Sequence, residues 1–100
     1  MSKDQIAEKV KRAVESDPSK DYIKRISLFG SFLHSSKKEK NDIDLLFEMR
    51  KTMSLFKIAR MQHRLEKELG QKVDFVEKNS LDKYIKDDVL KEAEKIYERK

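Results

Sequence analysis

Two aspartates and a Gly-Ser pair are the residues of this chain whose types and spacing could support chemistry. Gly30-Ser31 closes an apolar run, and Asp42-Ile43-Asp44 begins after a further ten residues. Side chains alternate between the two faces of a strand, so Asp42 and Asp44 would point to the same side with Cα atoms roughly 6.6 Å apart. Two carboxylates held in this way are suitable ligands for a hard divalent cation such as Mg²⁺.

The Gly-Ser pair suggests what such a cation would accompany. Gly30 would let a phosphate approach the backbone closely, and Ser31 would add a hydroxyl and an N–H group at the start of a helix. A Gly-Ser pair alone occurs in many ordinary turns, and its weight comes from the spacing to the aspartates. Lys37, Lys38 and Lys40 would neutralise triphosphate charge or would simply be solvated. The combination indicates a site for a metal-bound nucleoside triphosphate.

A third acid, Asp74, interrupts the apolar run of residues 73–76. If this run is a strand beside the one that holds Asp42 and Asp44, Asp74 lies near them as a third metal ligand or as a general base. The alternative is a charge that protects an edge strand from aggregation. For Asp42 and Asp44 the alternative is a solvated strand face, which Leu46 on the same face disfavours.

The rest of the pattern supplies the elements that would position these residues. Apolar spacing of three and four residues predicts amphipathic helices over residues ~4–16, 54–69 and 80–97, with Asp87-Asp88 able to divide the last. Runs rich in β-branched and aromatic residues predict strands over residues 22–29, 42–48 and 73–76. Ser31 would begin a short helix through about Ser35, and residues 37–41 would form a polar loop.

This order, α-β-α-β-α-β-α, predicts an α/β (α+β) fold in which helices pack against a small sheet. The second long helix would turn one apolar side to the sheet, formed by Leu55, Ile58, Ala59, Leu65 and Leu69. The last helical segment would direct Ile96 and Tyr97 inward in the same way.

Composition limits the class of protein. The 100 residues, of which 37% are hydrophobic and 43% charged, suffice for one domain with a compact core. No apolar run approaches the length of about 20 residues that spans a bilayer, and the N-terminal residues lack the apolar region of a signal peptide. The absence of cysteine excludes disulfides and thiolate metal sites. These features predict a cytoplasmic protein without a membrane partner.

The net charge of +5 is concentrated in one segment. Residues 51–72 hold six basic side chains against two acidic ones. A helix with this balance could face RNA, DNA or an acidic partner, or could be an ordinary solvated face. Because the sequence shows neither a platform of stacked aromatics nor a recognition-helix signature, it does not favour nucleic acid as a direct partner.

The spacing of Gly30-Ser31 and Asp42-Ile43-Asp44 resembles the signature of the DNA polymerase β-like nucleotidyltransferase superfamily. The short chain is similar to its minimal nucleotidyltransferases, the MntA-type antitoxins. The resemblance covers nearly the whole chain and implies one minimal nucleotidyltransferase domain over residues 1–100, built around a small mixed sheet. The run Leu90–Glu98 is similar to the final helix of that family.

The resemblance also implies roles for the residues. Gly30 and Ser31 would hold the triphosphate of ATP, Asp42 and Asp44 would bind two Mg²⁺ ions, and Asp74 would join them or take the proton of the acceptor. The reaction would be in-line attack on the α-phosphorus with release of pyrophosphate. The implied partner is a HEPN-domain toxin, an RNase, silenced by binding and by transfer of AMP to a tyrosine. Such a pair would form a hetero-oligomer.

One position departs from the family pattern. Many relatives follow Gly-Ser with a small residue, an arginine and a glycine, whereas this chain has Phe32-Leu33-His34-Ser35. The missing arginine removes a phosphate contact, for which His34 or a loop lysine would have to substitute. Two alternatives to the adenylyltransferase therefore stay open. One is an antitoxin that acts by binding alone, and the other is a transferase that acts on a small-molecule hydroxyl.

Overall fold

The computed structural model describes residues 1–30 and 42–99. In chain order the elements are α1 (Lys3–Glu15), β1 (Ile23–Phe29), β2 (Ile43–Met49), α2 (Leu55–Leu69), β3 (Val73–Glu77), α3 (Lys83–Glu92) and β4 (Glu94–Glu98). The short helix predicted from Ser31 and the polar loop of residues 37–41 lie outside the described residues. Among the described helices, none is long and apolar enough to cross a membrane.

The strands of the described chain form one mixed sheet in the order β3-β2-β1-β4. β1 pairs antiparallel with β2 and with β4, whereas β2 and β3 are parallel. Parallel neighbours need a crossover connection, which α2 provides between β2 and β3. The mixed sheet with helices packed against it confirms the predicted fold class.

The hydrophobic core lies between one face of the sheet and the helices α1 and α2. The helices contribute the buried residues Ile6, Val10, Ala13, Val14, Met61, Leu65 and Leu69. From β2, the buried residues Ile43, Leu45 and Phe47 belong to the same core cluster. Because strand side chains alternate, Asp44 and Leu46 point to the opposite face of the sheet. Asp44, a predicted metal ligand, therefore lies on the face of the sheet that turns away from α2.

Both ends predicted for α2 are confirmed. Ser54 Oγ accepts a hydrogen bond from the Lys57 N–H at 3.2 Å, and Gly70 adopts the left-handed conformation with φ of 71° at the C-terminal end. The apolar side of this helix is partly different from the prediction. Leu55 and Ala59 are exposed, while Met61 is fully buried.

The C-terminal segment is where the predicted secondary structure is wrong. Instead of one helix over residues 80–97, the chain forms α3, which is capped by Asp82 rather than Ser80, and then β4. Strand β4 lies along the edge of β1, where Tyr97 pairs with Ile26 and is 7% exposed. The pairing buries Tyr97 and covers an edge of β1, so tertiary contacts override the helix-forming composition.

The expectation that residues 90–98 form a final helix is therefore also wrong, because α3 ends at Glu92 and residues 94–98 form β4. Charged side chains contribute to this strand pairing, because Arg25 donates to Glu48 on β2 at 2.9 Å and to Glu98 on β4 at 2.8 Å. The central strand β1 therefore carries a guanidinium group that bridges both of its neighbours. Cross-strand pairs of this kind favour one register of the sheet.

The β4 pairing predicts a pH dependence of stability. Hydrogen bonds from Lys95 and then Arg25 lower the pKa of Glu98 from 4.5 to about 2. Because the folded pKa lies below the unfolded value, the stabilisation is present above about pH 4.5 and is lost as the pH falls through about 2. The Glu98→Gln variant is expected to lose less stability than the wild type over this window, measured by urea unfolding. Parallel pH profiles of the two proteins would contradict the assignment.

A buried carboxylate joins the end of α1 to α2. The side chain of Asp17 is fully buried, and its oxygens accept from the Ser19 N–H at 2.7 Å and from Arg64 Nε at 3.0 Å. Arg60 approaches the same carboxylate at 3.4 Å and donates to Ser19 Oγ at 2.7 Å. Asp17, which directly follows the cap of α1, thus fixes α2 against the end of that helix.

Removal of the Asp17 carboxylate is therefore expected to destabilise the fold. Asp17→Ala should lower the free energy of unfolding by about 2 kcal/mol or more, because two guanidinium groups and one N–H lose their acceptor. The exposed Asp21 is the matched control, and Asp21→Ala should cost less than about 0.5 kcal/mol. Urea denaturation measures the free energy of unfolding of both variants. An equal decrease in the two would show that the buried contacts of Asp17 do not stabilise the fold more than an exposed carboxylate does.

Candidate active site

The predicted site residues lie at the adjacent ends of three strands, which are the C-terminal end of β1 and the N-terminal ends of β2 and β3. Asp42 directly precedes β2 and Asp44 is its second residue, while Asp74 is the second residue of β3. In the register of the parallel pair, Asp44 lies opposite Asp74. The antiparallel pair places Phe29, the last residue of β1, opposite Asp44 on the other side. Gly30 therefore reaches the same end of the sheet as the carboxylates, as the sequence spacing predicts.

Gly30 lies against the carboxylate of Asp44. A Cβ atom at position 30 would lie about 3.0 Å from Asp44 Cγ and even closer to Oδ2, inside contact distance. Gly30 also has φ of 78°, a conformation that other residues rarely adopt. Glycine is thus required here on two counts, since its φ is positive and the Asp44 carboxylate occupies the position of a Cβ atom.

Hydrogen bonds of the backbone at the start of β2 and β3 hold Asp44 and Asp74 in register. The Ile43 N–H donates to the Lys72 carbonyl at 3.0 Å. On the outer edge of β3, Gln62 Nε2 donates to the Val73 carbonyl at 2.8 Å, and Glu66 Oε2 accepts from the Val73 N–H at 3.0 Å. These two side chains of α2 thus form hydrogen bonds with the Val73 N–H and C=O groups, which point away from β2. They fix the residue that precedes Asp74.

No pattern in the sequence indicates this positioning role of Gln62 and Glu66. Gln62 and Glu66 are four residues apart, and their composition and spacing do not distinguish them from other polar residues of the same helix. Their function depends on the crossover that places α2 against the open edge of β3. We regard them as positioning residues, since their contacts are with the strand and not with a reacting group.

The Glu66 contact can be tested by a pair of substitutions. Glu66→Ala should lower nucleotidyl transfer roughly tenfold, because the start of β3 loses an acceptor one residue before Asp74. Glu66→Gln keeps an acceptor oxygen and should restore most of the rate. Glu68→Ala removes a neighbouring carboxylate that bonds Arg12 at 2.9 Å instead, and the rate should hold. A loss in Glu68→Ala as large as in Glu66→Ala would contradict the positioning role.

The donor chemistry of the site fits Mg²⁺. Asp42 and Asp44 are half-buried and Asp74 is exposed, so all three offer carboxylate oxygens at one end of the sheet. Within the described ranges, no group of three or more His, Asp or Glu side chains is placed so that it could hold a metal ion. Mg²⁺ at phosphoryl-transfer sites is commonly held by one or two carboxylates with substrate phosphates as further ligands.

Ser31, the second predicted nucleotide-binding residue, lies outside the described residues. The same holds for His34 and the lysines at 37, 38 and 40. The site that the structure describes therefore consists of Gly30 and the three aspartates.

Comparison with known proteins places this chain in a family. The family model for polymerase beta nucleotidyltransferases matches residues 8–100. A Methanocaldococcus jannaschii protein with a provisional name as a protein adenylyltransferase is 38% identical over 84 residues, which are 84% of this chain and 90% of that protein. The protein adenylyltransferase MntA of Thermococcus cleftensis is 37% identical over 71 residues, which are 71% of this chain and 72% of that protein.

A solved structure shares the fold. It contains a tri-AMPylated HEPN toxin of Shewanella oneidensis in complex with an MNT antitoxin, and one of its chains matches with a TM-score of 0.70. The identity is 18%, and the match covers 98% of this chain and 74% of that one. Because the family model matches residues 8–100 and the curated relatives are 37–38% identical, this chain belongs to the polymerase β nucleotidyltransferase family and is a nucleotidyltransferase.

Proposed function

We propose that this protein is a Mg²⁺-dependent protein adenylyltransferase that uses ATP and acts as the antitoxin of a HEPN-domain toxin, with a toxin tyrosine as the AMP acceptor. The observation that carries the proposal is the register of Asp44 opposite Asp74 with Gly30 against the Asp44 carboxylate. Relatives with the names of protein adenylyltransferases support the choice of reaction. The complex of an AMPylated HEPN toxin with an MNT antitoxin supports the choice of partner.

The residues suggest how the reaction would proceed. Asp42, Asp44 and Asp74 would hold Mg²⁺, which when bound stabilises charge on the entering and leaving oxygens. Gly30 and Ser31 would bind the triphosphate through backbone N–H groups and a hydroxyl. The tyrosine oxygen then forms a bond to the α-phosphorus while the bond to the bridging oxygen breaks, and pyrophosphate leaves. Asp74, the exposed member of the three, is suited to take the phenolic proton or to complete the ligand set.

The sequence favours one second candidate, an antitoxin that neutralises its toxin by contact alone. Its support is the absence of an arginine after Gly30-Ser31, where Phe32-Leu33-His34-Ser35 stands instead. A site with one phosphate contact fewer would bind ATP less tightly and transfer AMP more slowly. Both candidates require a hetero-oligomer with the toxin, so association of the two proteins does not separate them.

The separating experiment follows the AMP group. A HEPN-domain toxin of the same organism is incubated with this protein, MgCl₂ and ATP labelled at the α-phosphate. The proposal predicts label on the toxin, located on a tyrosine by mass spectrometry, and no label when the β,γ-phosphates carry the isotope. It also predicts that an Asp42→Asn, Asp44→Asn double variant still binds the toxin but neutralises it less. Full neutralisation by that variant without label transfer would establish the contact-only antitoxin.

A further inference from the structure

The outer side of α2 carries a cluster of basic side chains, which we call the basic face: Arg60, His63, Arg64 and Lys67. Their spacing of three and four residues places them on one side of the helix. Together with Ser16 and Glu68 they line a cavity of about 320 Å³ beside the end of α1. Because α2 packs on the sheet face opposite Asp44, this cavity is separate from the candidate active site.

The charges of the basic face are not balanced by the acids around it. The single carboxylate of Asp17 lies between two guanidinium groups, those of Arg60 and Arg64. Glu68, the acid that lines the cavity itself, bonds Arg12 at 2.9 Å. Lys67 adds a further positive charge. The cavity thus has an excess of positive charge and attracts anions.

Two guanidinium groups of the basic face are held in place by contacts within the protein. Arg60 Nη2 donates to Ser19 Oγ at 2.7 Å and lies 3.4 Å from Asp17 Oδ1. Arg64 Nε donates to Asp17 Oδ2 at 3.0 Å. Because these contacts fix both groups, they form a preorganised pair of positive charges beside the cavity, suited to charge-assisted hydrogen bonds with phosphate oxygens.

An exposed aromatic ring extends the basic face by one helical turn. Phe56 is 74% exposed and its neighbour Leu55 is 83% exposed, which is unusual for large apolar side chains. The Phe56 ring centroid lies 6.0 Å from the guanidinium carbon of Arg60. From Phe56 to Lys67 the helix rises about 16 Å, equal to about five stacked nucleotide steps of 3.4 Å. Basic groups beside an open aromatic face are the parts of a single-strand binding surface.

We propose that the basic face and Phe56 bind single-stranded nucleic acid, with phosphates on Arg60, Arg64 and Lys67 and a base stacked on Phe56. The exposed ring beside the guanidinium of Arg60 is the reason to favour this occupant, because a base stacks on the ring while the phosphates that flank it meet the basic side chains. It is also the reason to favour a single strand over a duplex, because paired bases do not present their faces. The sequence alone did not favour nucleic acid, since it could not show that Phe56 is exposed beside Arg60.

The test is fluorescence anisotropy with a labelled RNA strand of about 12 nucleotides, its DNA counterpart and the corresponding duplex. RNA and DNA single strands should bind with similar affinity, and the duplex more weakly. With about three phosphates contacted on a single strand, affinity should fall about twentyfold between 50 and 200 mM salt. Lys67→Glu and Phe56→Ala should each weaken binding at least about fivefold. Lys91→Glu, an equal charge change at an exposed position of α3, should change it by less than about twofold.

These substitutions spare the buried contacts of Asp17, so all variants should fold, and thermal melting checks this. Asp44→Asn should bind the strand like the wild type, because the two sites lie on opposite faces. Binding that is equally weak in Lys91→Glu and Lys67→Glu would overturn the proposal. So would tighter binding of polyglutamate than of either single strand with no effect of Phe56→Ala, and this result would assign the basic face to an acidic partner.

Discussion

The Asp44→Asn variant is expected to lose nucleotidyl transfer by at least about a hundredfold while remaining folded. Asp44 links the predicted metal ligands to the predicted nucleotide-binding residue, since it lies opposite Asp74 in the strand register and its carboxylate lies against Gly30. Asparagine preserves its shape but removes the negative charge that a Mg²⁺ ion needs. Loss of that charge also relieves repulsion from the neighbouring aspartates, so the fold should tolerate it.

The measurement is the single-turnover rate of transfer at saturating ATP, with circular dichroism as the check on folding. Asp21→Asn is the matched control, because Asp21 precedes β1 at the end of the sheet opposite Gly30. That variant should transfer at the wild-type rate. A folded Asp44→Asn protein with more than about a tenth of the wild-type rate would remove Asp44 from the catalytic set.

The second large effect is expected for Gly30→Ala, and the chain provides its own control. Gly30 and Gly70 have nearly equal φ of 78° and 71°. Alanine at either position should cost about 1–2 kcal/mol of backbone strain. Among the described residues, the new Cβ at position 30 meets the Asp44 carboxylate, whereas a Cβ at position 70 has no neighbour within 4 Å. Gly30→Ala should therefore lose ATP binding and transfer, and Gly70→Ala should retain both.

Urea unfolding measures the strain, and calorimetry with Mg²⁺ and ATP measures the binding. The comparison separates a general loss of stability from displacement of one carboxylate. If both variants lose ATP binding in proportion to their loss of stability, the close contact of Gly30 with Asp44 has no specific role at the site.

The main features of the site could be predicted from the sequence because they depend on local rules. Alternation along a strand fixes the common side of Asp42 and Asp44. A Gly that ends one strand and an acid that interrupts another are visible as single letters, and the parallel register of β2 and β3 then brings Asp44 and Asp74 together. The caps of α2 at Ser54 and Gly70 follow from the same kind of local chemistry.

The features that sequence could not predict depend on distant parts of the chain. Glu94–Glu98 continues the helical spacing before it, yet it forms β4 because β1 offers an unpaired edge. Asp17 looks like a helix stop, and its burial between two arginines of α2 appears only when α1 and α2 pack together. Phe56 is exposed because the apolar side of α2 is set by Met61 and Leu65.

The most direct test of the site is calorimetry of ATP binding with and without Mg²⁺, for the wild type and for Asp44→Asn. We expect the wild type to bind ATP only when Mg²⁺ is present, and the folded Asp44→Asn variant to bind at least about tenfold more weakly. Equal binding by both proteins, or binding that does not depend on Mg²⁺, would contradict the assignment of Asp44 and its neighbours as the metal and nucleotide site.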